Sequence, residues 1–200
     1  MEGEPRNSAE CPPAAWAPIQ FPFSEAKAAE AAAVLLRAAG GRMPYMRLIK
    51  LLYLADRESL HRFGRPIVGG HYVAMRLGPV LSEVLDAIKR DLPGPWQEAV
   101  ERDGYDVRLR GEPEPHLLSD AEIAVLEETA DLFRLLNQWA LSGLTHGLPE
   151  WRDPGASAVE ITPEAILQAL EKSEEEIEDV REQAIEDAHF NRLFSGTVRP

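Results

Sequence analysis

The chain holds 200 residues, with 34 Asp and Glu against 21 Lys and Arg, a formal net charge of −13 and one cysteine. At 44% hydrophobic residues it can bury a full core, since a domain of about 150 residues hides roughly 70% of its unfolded surface, and one compact domain with tails is expected. Cys11 alone excludes an intramolecular disulfide and a multi-thiolate zinc cluster, and the longest apolar run, Ala31 to Leu36, is far below the ~20 residues of a membrane span, so the expectation is a cytoplasmic chain with no membrane contact.

Residues 1–24 carry Pro5, Pro12, Pro13, Pro18 and Pro22 with little apolar periodicity. Proline removes backbone donors and holds its predecessor extended, so this reads as a proline-rich mobile arm with Trp16, Phe21 and Phe23 as anchors. Ser24 then offers a hydroxyl cap to EAKAAEAAAVLLRAA, which stops at Gly40-Gly41. A second helix opens near Pro44 and runs to Gly64, with Leu48, Leu51, Leu52 and Ala55 on one face. In RPIVGGHYVAMRLGP, the pair Gly69-Gly70 suits a tight two-residue turn and predicts a hairpin between Ile67-Val68 and His71–Met75. Gly78-Pro79 is expected to open a third helix, which Pro93-Gly94-Pro95 stops. Alternation in Tyr105–Leu109 predicts one more strand for that small sheet. Ser119 to Glu122 form a capping box ahead of a helix to Leu136, QWALSGLTH follows as a short helix, and Thr162-Pro163 and the box Ser173 to Glu176 open the last two. The last helix keeps only Ile177, Val180, Ala184 and Ala188 as a seam on an otherwise acidic surface. The fold class is therefore mainly α, of α+β type: a compact helical domain with a small antiparallel hairpin or sheet.

Charge is unevenly placed along the chain. Residues 1–24 hold three acids and one base, residues 25–110 eleven and fourteen, and residues 111–200 twenty and six. An acidic half repels a phosphate backbone and suits a protein partner, so nucleic acid is an unfavoured ligand.

Chemistry-bearing patterns are sparse. The five histidines, at 61, 71, 116, 146 and 189, form no i, i+4 pair, and no phosphate-cradling glycine loop or nucleophile elbow is present, so no metal, no cofactor and no catalytic residues are expected. Asp56 is an acid on an otherwise apolar helix. It either pairs with Arg57, Arg62 or Arg65 to organise the turn, or lines a site. His146 and Trp151 have two readings also: a helix-end histidine bonded to carbonyls beside a core plug, or a recognition pair.

Residues 50–80 resemble the Panacea domain of the SocA-like antitoxins. The resemblance is carried by Lys50-Leu51-Leu52-Tyr53-Leu54-Ala55-Asp56, Gly64-Arg65-Pro66, Gly70, Tyr72-x-Ala74, and Gly78-Pro79-Val80. Leu118-Ser119 with Glu122, and Thr145-His146 with Trp151, extend it over roughly residues 26–153. It implies a mostly helical domain, not an enzyme, that neutralises a cognate toxin by direct contact, the toxin coming from an adjacent gene. Some members of the family hand the toxin to a protease as adaptors. Lys50, Tyr53, Asp56, Tyr72, Gly78, Pro79, His146 and Trp151 are the signature positions, and with Met75 and Arg76 of the hairpin they are the candidate partner-binding residues. The arm 1–24 and an acidic helical extension, 156–200, flank a Panacea-like domain at 25–155. A DNA-binding regulator of its own operon is an alternative, although no helix-turn-helix with a basic recognition helix is evident. An enzyme using Asp56 and His146 as an acid–base pair is a third reading, motivated by residue type alone.

Overall fold

Ser24 accepts a hydrogen bond from the Lys27 N–H and opens α1 (Glu25–Ala38), whose Ala28, Ala29, Ala31, Ala32, Ala33 and Val34–Leu36 are buried against the rest of the core. These details come from a computed structural model, which describes residues 17–90, 92–111 and 115–195. Cys11 and the expected anchor Trp16 lie outside the described residues. β1 (Arg42–Pro44) leads into α2 (Tyr45–Phe63), where every residue from Leu48 to Ala55, and Asp56 as well, is buried. A helix buried all round is a central one, and α2 has α5, α6, α1 and β3 packed about it.

Two three-stranded antiparallel sheets flank the helices. One has the order β1-β5-β4, with β4 at Val100–Asp103 and β5 at Asp106–Leu109. The other has the order β3-β2-β6, with β2 at Tyr72–Met75, β3 at Gly78–Leu81 and β6 at Val159–Ile161. Tyr72 stands opposite Leu81 on one side and Ile161 on the other.

This arrangement corrects three expectations. The hairpin turn is Arg76-Leu77, because Met75 pairs with Gly78, and it is not Gly69-Gly70. The two glycines do take positive φ, but in the loop that folds over Asp56. Gly78-Pro79 does not open a helix: both residues belong to β3, an edge strand, where the missing proline N–H is tolerated. Helix α3 starts later, at Ser82, and ends at Lys89. The strand within Tyr105–Leu109 exists as β5 but joins the first sheet, not that of the hairpin.

A short helix, α4 (Pro95–Ala99), follows the predicted stop. The capping box at Ser119 and Glu122 opens α5 (Asp120–Leu132). It ends four residues before the expected Leu136, where the Arg47 side chain donates to the carbonyls of Phe133 and Leu136. Asn137 caps α6 (Gln138–His146), Thr162 caps α7 (Pro163–Ala169), and the box at Ser173 and Glu176 opens α8 (Glu174–Ser195). Ile177 and Ala184 are buried and Val180 and Ala188 half-buried, so the seam of α8 faces inward as its spacing indicates. The architecture is mixed α+β and mainly helical.

Candidate functional site

Lys50, Tyr53 and Asp56 recur at i, i+3 and i+6 on α2, which places all three on one helix face. That face turns toward the β2–β3 hairpin and the loop before it. Asp56 is fully buried and its oxygens accept four hydrogen bonds. Oδ1 takes the N–H groups of Ile67 (3.0 Å) and Val68 (2.8 Å), and Oδ2 takes the Gly69 N–H (3.1 Å) and the Tyr72 hydroxyl (2.9 Å). The acid thus organises the turn, through backbone amides and a phenol and not through an arginine. Burial lifts its carboxyl to about 6 against the pull of those four donors.

Tyr53 meets the Tyr72 ring edge-on at 5.8 Å between centroids and donates its hydroxyl to Glu150 Oε1 at 2.9 Å. Arg57 Nε reaches the same oxygen at 2.8 Å, and the Glu150 side chain is wholly buried. Burial, with the Glu150 charge beside it, holds the Tyr53 phenol well above its ordinary range. Burial first, then Asp56, does the same for Tyr72.

Lys50, 1% exposed, donates from Nζ to the Pro79 carbonyl at 2.6 Å, and burial draws its ammonium down to about 7. The lysine therefore satisfies a carbonyl on the edge strand. Gly78 fits beside it with φ +96°, and a Cβ there would stand 2.5 Å from Thr145 Oγ1 and 2.9 Å from Lys50 Nζ. Only glycine allows that approach.

The far side of the hairpin is clamped by α6 and the loop after it. Ser142 Oγ donates to the Leu77 carbonyl (2.9 Å) and Trp151 Nε1 to the Met75 carbonyl (3.2 Å). His146 stacks on Trp151 at 4.2 Å between centroids, which is a ring contact and not the carbonyl contact its helix-end position suggests. His146 Nε2 and Glu150 Oε2 are buried without a hydrogen-bond partner among the described residues.

All ten candidate residues therefore converge on one hairpin. Lys50, Tyr53, Asp56, Tyr72, Gly78 and Pro79 are buried; Met75, His146 and Trp151 are half-buried; Arg76 is exposed. The arrangement is a scaffold that fixes the turn Met75–Gly78 at the surface. Glu150 and Ser142 are the members that sequence reasoning missed. For Glu150 the available signal was an acid between Pro149 and Trp151, and for Ser142 there was none beyond its place on α6.

Elsewhere, an open groove of about 920 Å³ runs along residues 18–23, His71, Glu83 and Glu160–Glu164, and of the ten only Tyr72 lines it. No group of three or more His, Cys, Asp or Glu side chains converges among the described residues. None of their helices is long and apolar enough to cross a membrane.

A family model described as antitoxin SocA-like, Panacea domain, matches residues 48–152, just over half of the chain. No curated protein and no solved structure matches it.

Proposed function

The chain belongs to the SocA-like antitoxin family with a Panacea domain, and on that premise we propose that it neutralises a cognate toxin by direct protein–protein contact. It acts by binding and not by catalysis, in the cytoplasm, on a toxin encoded beside it. The observation that carries this reading is the family match, whose span of 48–152 contains the whole hairpin clamp, from Lys50 to Trp151. Two features support it. Lys50, Tyr53, Asp56 and Tyr72 spend their polar groups on internal hydrogen bonds, with Asp56 holding four donors, so they build a surface. That surface then presents a short, rigid turn with an exposed arginine, a form suited to recognition.

The test is to express the neighbouring reading frame alone and together with this chain. Growth arrest by the first, rescue by the pair and co-purification of a stable complex are the expected outcome. A toxic neighbour that this chain neither rescues nor binds rejects the proposal.

A further inference from the structure

Gly143 has no internal reason to be glycine. It lies inside α6, its φ is not positive, and nothing stands within 4 Å of where a Cβ would be. Glycine is the poorest helix former but for proline, so its place on this exposed face is a cost to the helix that the fold does not recover. What a missing side chain gives is close approach by another backbone.

The neighbours of this seat have the composition of a recognition surface. Trp139, one turn earlier on the same face, is 62% exposed. Ser142 holds the Leu77 carbonyl, which sets the hairpin turn alongside, and Leu77 is 44% exposed. His146, stacked on Trp151, closes the other end. Arg76 is exposed and has no ion-pair partner among the described residues, a condition it shares with Arg65, Arg102, Arg134 and Arg152 but not with Arg42, Arg57, Arg62, Arg90, Arg108, Arg110 and Arg181; of the unpaired five it is the one in the hairpin turn beside α6. An exposed tryptophan, a leucine and an unpaired arginine around a flat seat match the anchor chemistry of protein interfaces.

We infer that the cognate toxin docks across the α6 face from Trp139 to His146, with a backbone segment seated on Gly143. An apolar side chain of that segment packs on Trp139 and Leu77, and a carboxylate on it pairs with Arg76. The inference rests on the antitoxin reading and names its surface.

The probe is the toxic neighbouring gene product, held as a complex with the full chain. Gly143→Trp fills open space and keeps the fold, which an unchanged thermal melt verifies, and it is expected to weaken the complex at least about 30-fold and abolish growth rescue. Arg76→Glu is expected to weaken it about 10-fold, with a loss of salt dependence. Glu182→Lys, on the exposed face of α8, leaves binding unchanged. Binding by Gly143→Trp within about twofold of the parent overturns the proposed surface while the antitoxin reading stands. A parent chain that dimerises, a Gly143→Trp variant that does not, and undiminished toxin binding by both overturn it in favour of a second copy as occupant. If the parent chain itself fails to bind or rescue, the antitoxin reading falls and the toxin is rejected as occupant with it.

Discussion

Lys50 carries its amine into the buried face of α2, where the Pro79 carbonyl 2.6 Å away is its acceptor. Burial draws its ammonium to about 7, while in the unfolded chain it titrates near 10.5. Between those two values the unfolded state binds more protons than the folded one, so this residue makes stability rise with pH from about 7 upward. Asp56 works in the opposite sense. Its carboxyl is raised from 3.8 to about 6, so the folded state binds more protons in that window and stability falls as pH rises through it. The two contributions leave the hairpin clamp at its weakest near pH 6 to 7, where both groups are charged. Lys50→Met keeps the length of the side chain and removes the titration. Urea melts at pH 7 and pH 9 should show the parent gaining about 2 kcal/mol relative to the variant over that interval. Parallel pH profiles for the two proteins would mean that Lys50 does not titrate in this range.

The hairpin and the loop before it show where an element depends on residues far from it in sequence. Ile67, Val68 and Gly69 form no ladder of their own, and their N–H groups converge on Asp56, eleven to thirteen residues upstream. Asp56→Asn replaces one acceptor oxygen by a donor and leaves an N–H of the loop without a partner. The expected cost is about 2 kcal/mol in denaturant melts, with faster amide exchange at Ile67, Val68 and Gly69 than elsewhere in the core. Unchanged exchange at those three amides would show that the carboxylate does not hold the loop. The same dependence explains what the sequence did and did not reveal. The openings of α1, α5, α7 and α8 were legible because Ser24, Ser119, Thr162 and Ser173 cap helices within three residues of themselves. Gly69-Gly70 were misread as the hairpin turn because positive φ serves a turn and an anchoring loop equally. What decides between them is Asp56, outside any local window. The Arg76-Leu77 turn has no glycine inside it, and the residue that announces it, Gly78, sits just after. Within the site, the i, i+3, i+6 spacing on α2 was visible, whereas the Tyr53–Glu150 and Leu77–Ser142 contacts span 97 and 65 residues and leave no periodic trace.

At the scale of the molecule the matched span ends at residue 152, yet the chain beyond it supplies core to the chain before it. β6 covers the edge of β2, placing Ile161 opposite Tyr72, and Ile161, Ile166 and Leu167 are at most 3% exposed. Val180 of α8 stands over Gly64, at the end of α2, so closely that a Cβ on the glycine would lie 2.8 Å from it. The N-terminal residues close over the same region: Ile19 is buried and gives its N–H to Glu164 at 2.7 Å, the Phe21 carbonyl accepts from the Gly70 N–H, and Arg181 donates to the Ala17 carbonyl at 2.8 Å. A chain ended at residue 155 leaves β2 as an open edge and uncovers the surface on which those side chains rest. Each buried isoleucine or leucine contributes roughly 1.5–3 kcal/mol, so the loss of three removes about 4.5–9 kcal/mol, an amount comparable to the about 5–15 kcal/mol that holds a domain together. The truncated chain is therefore expected to lose its cooperative thermal transition, while the full chain melts in one step. The charge change near residue 155 points the other way, to an acidic extension separable from the domain. A truncated chain that melts cooperatively within about 5 °C of the full one would establish that division, and would leave the family-matched core as the complete folding unit.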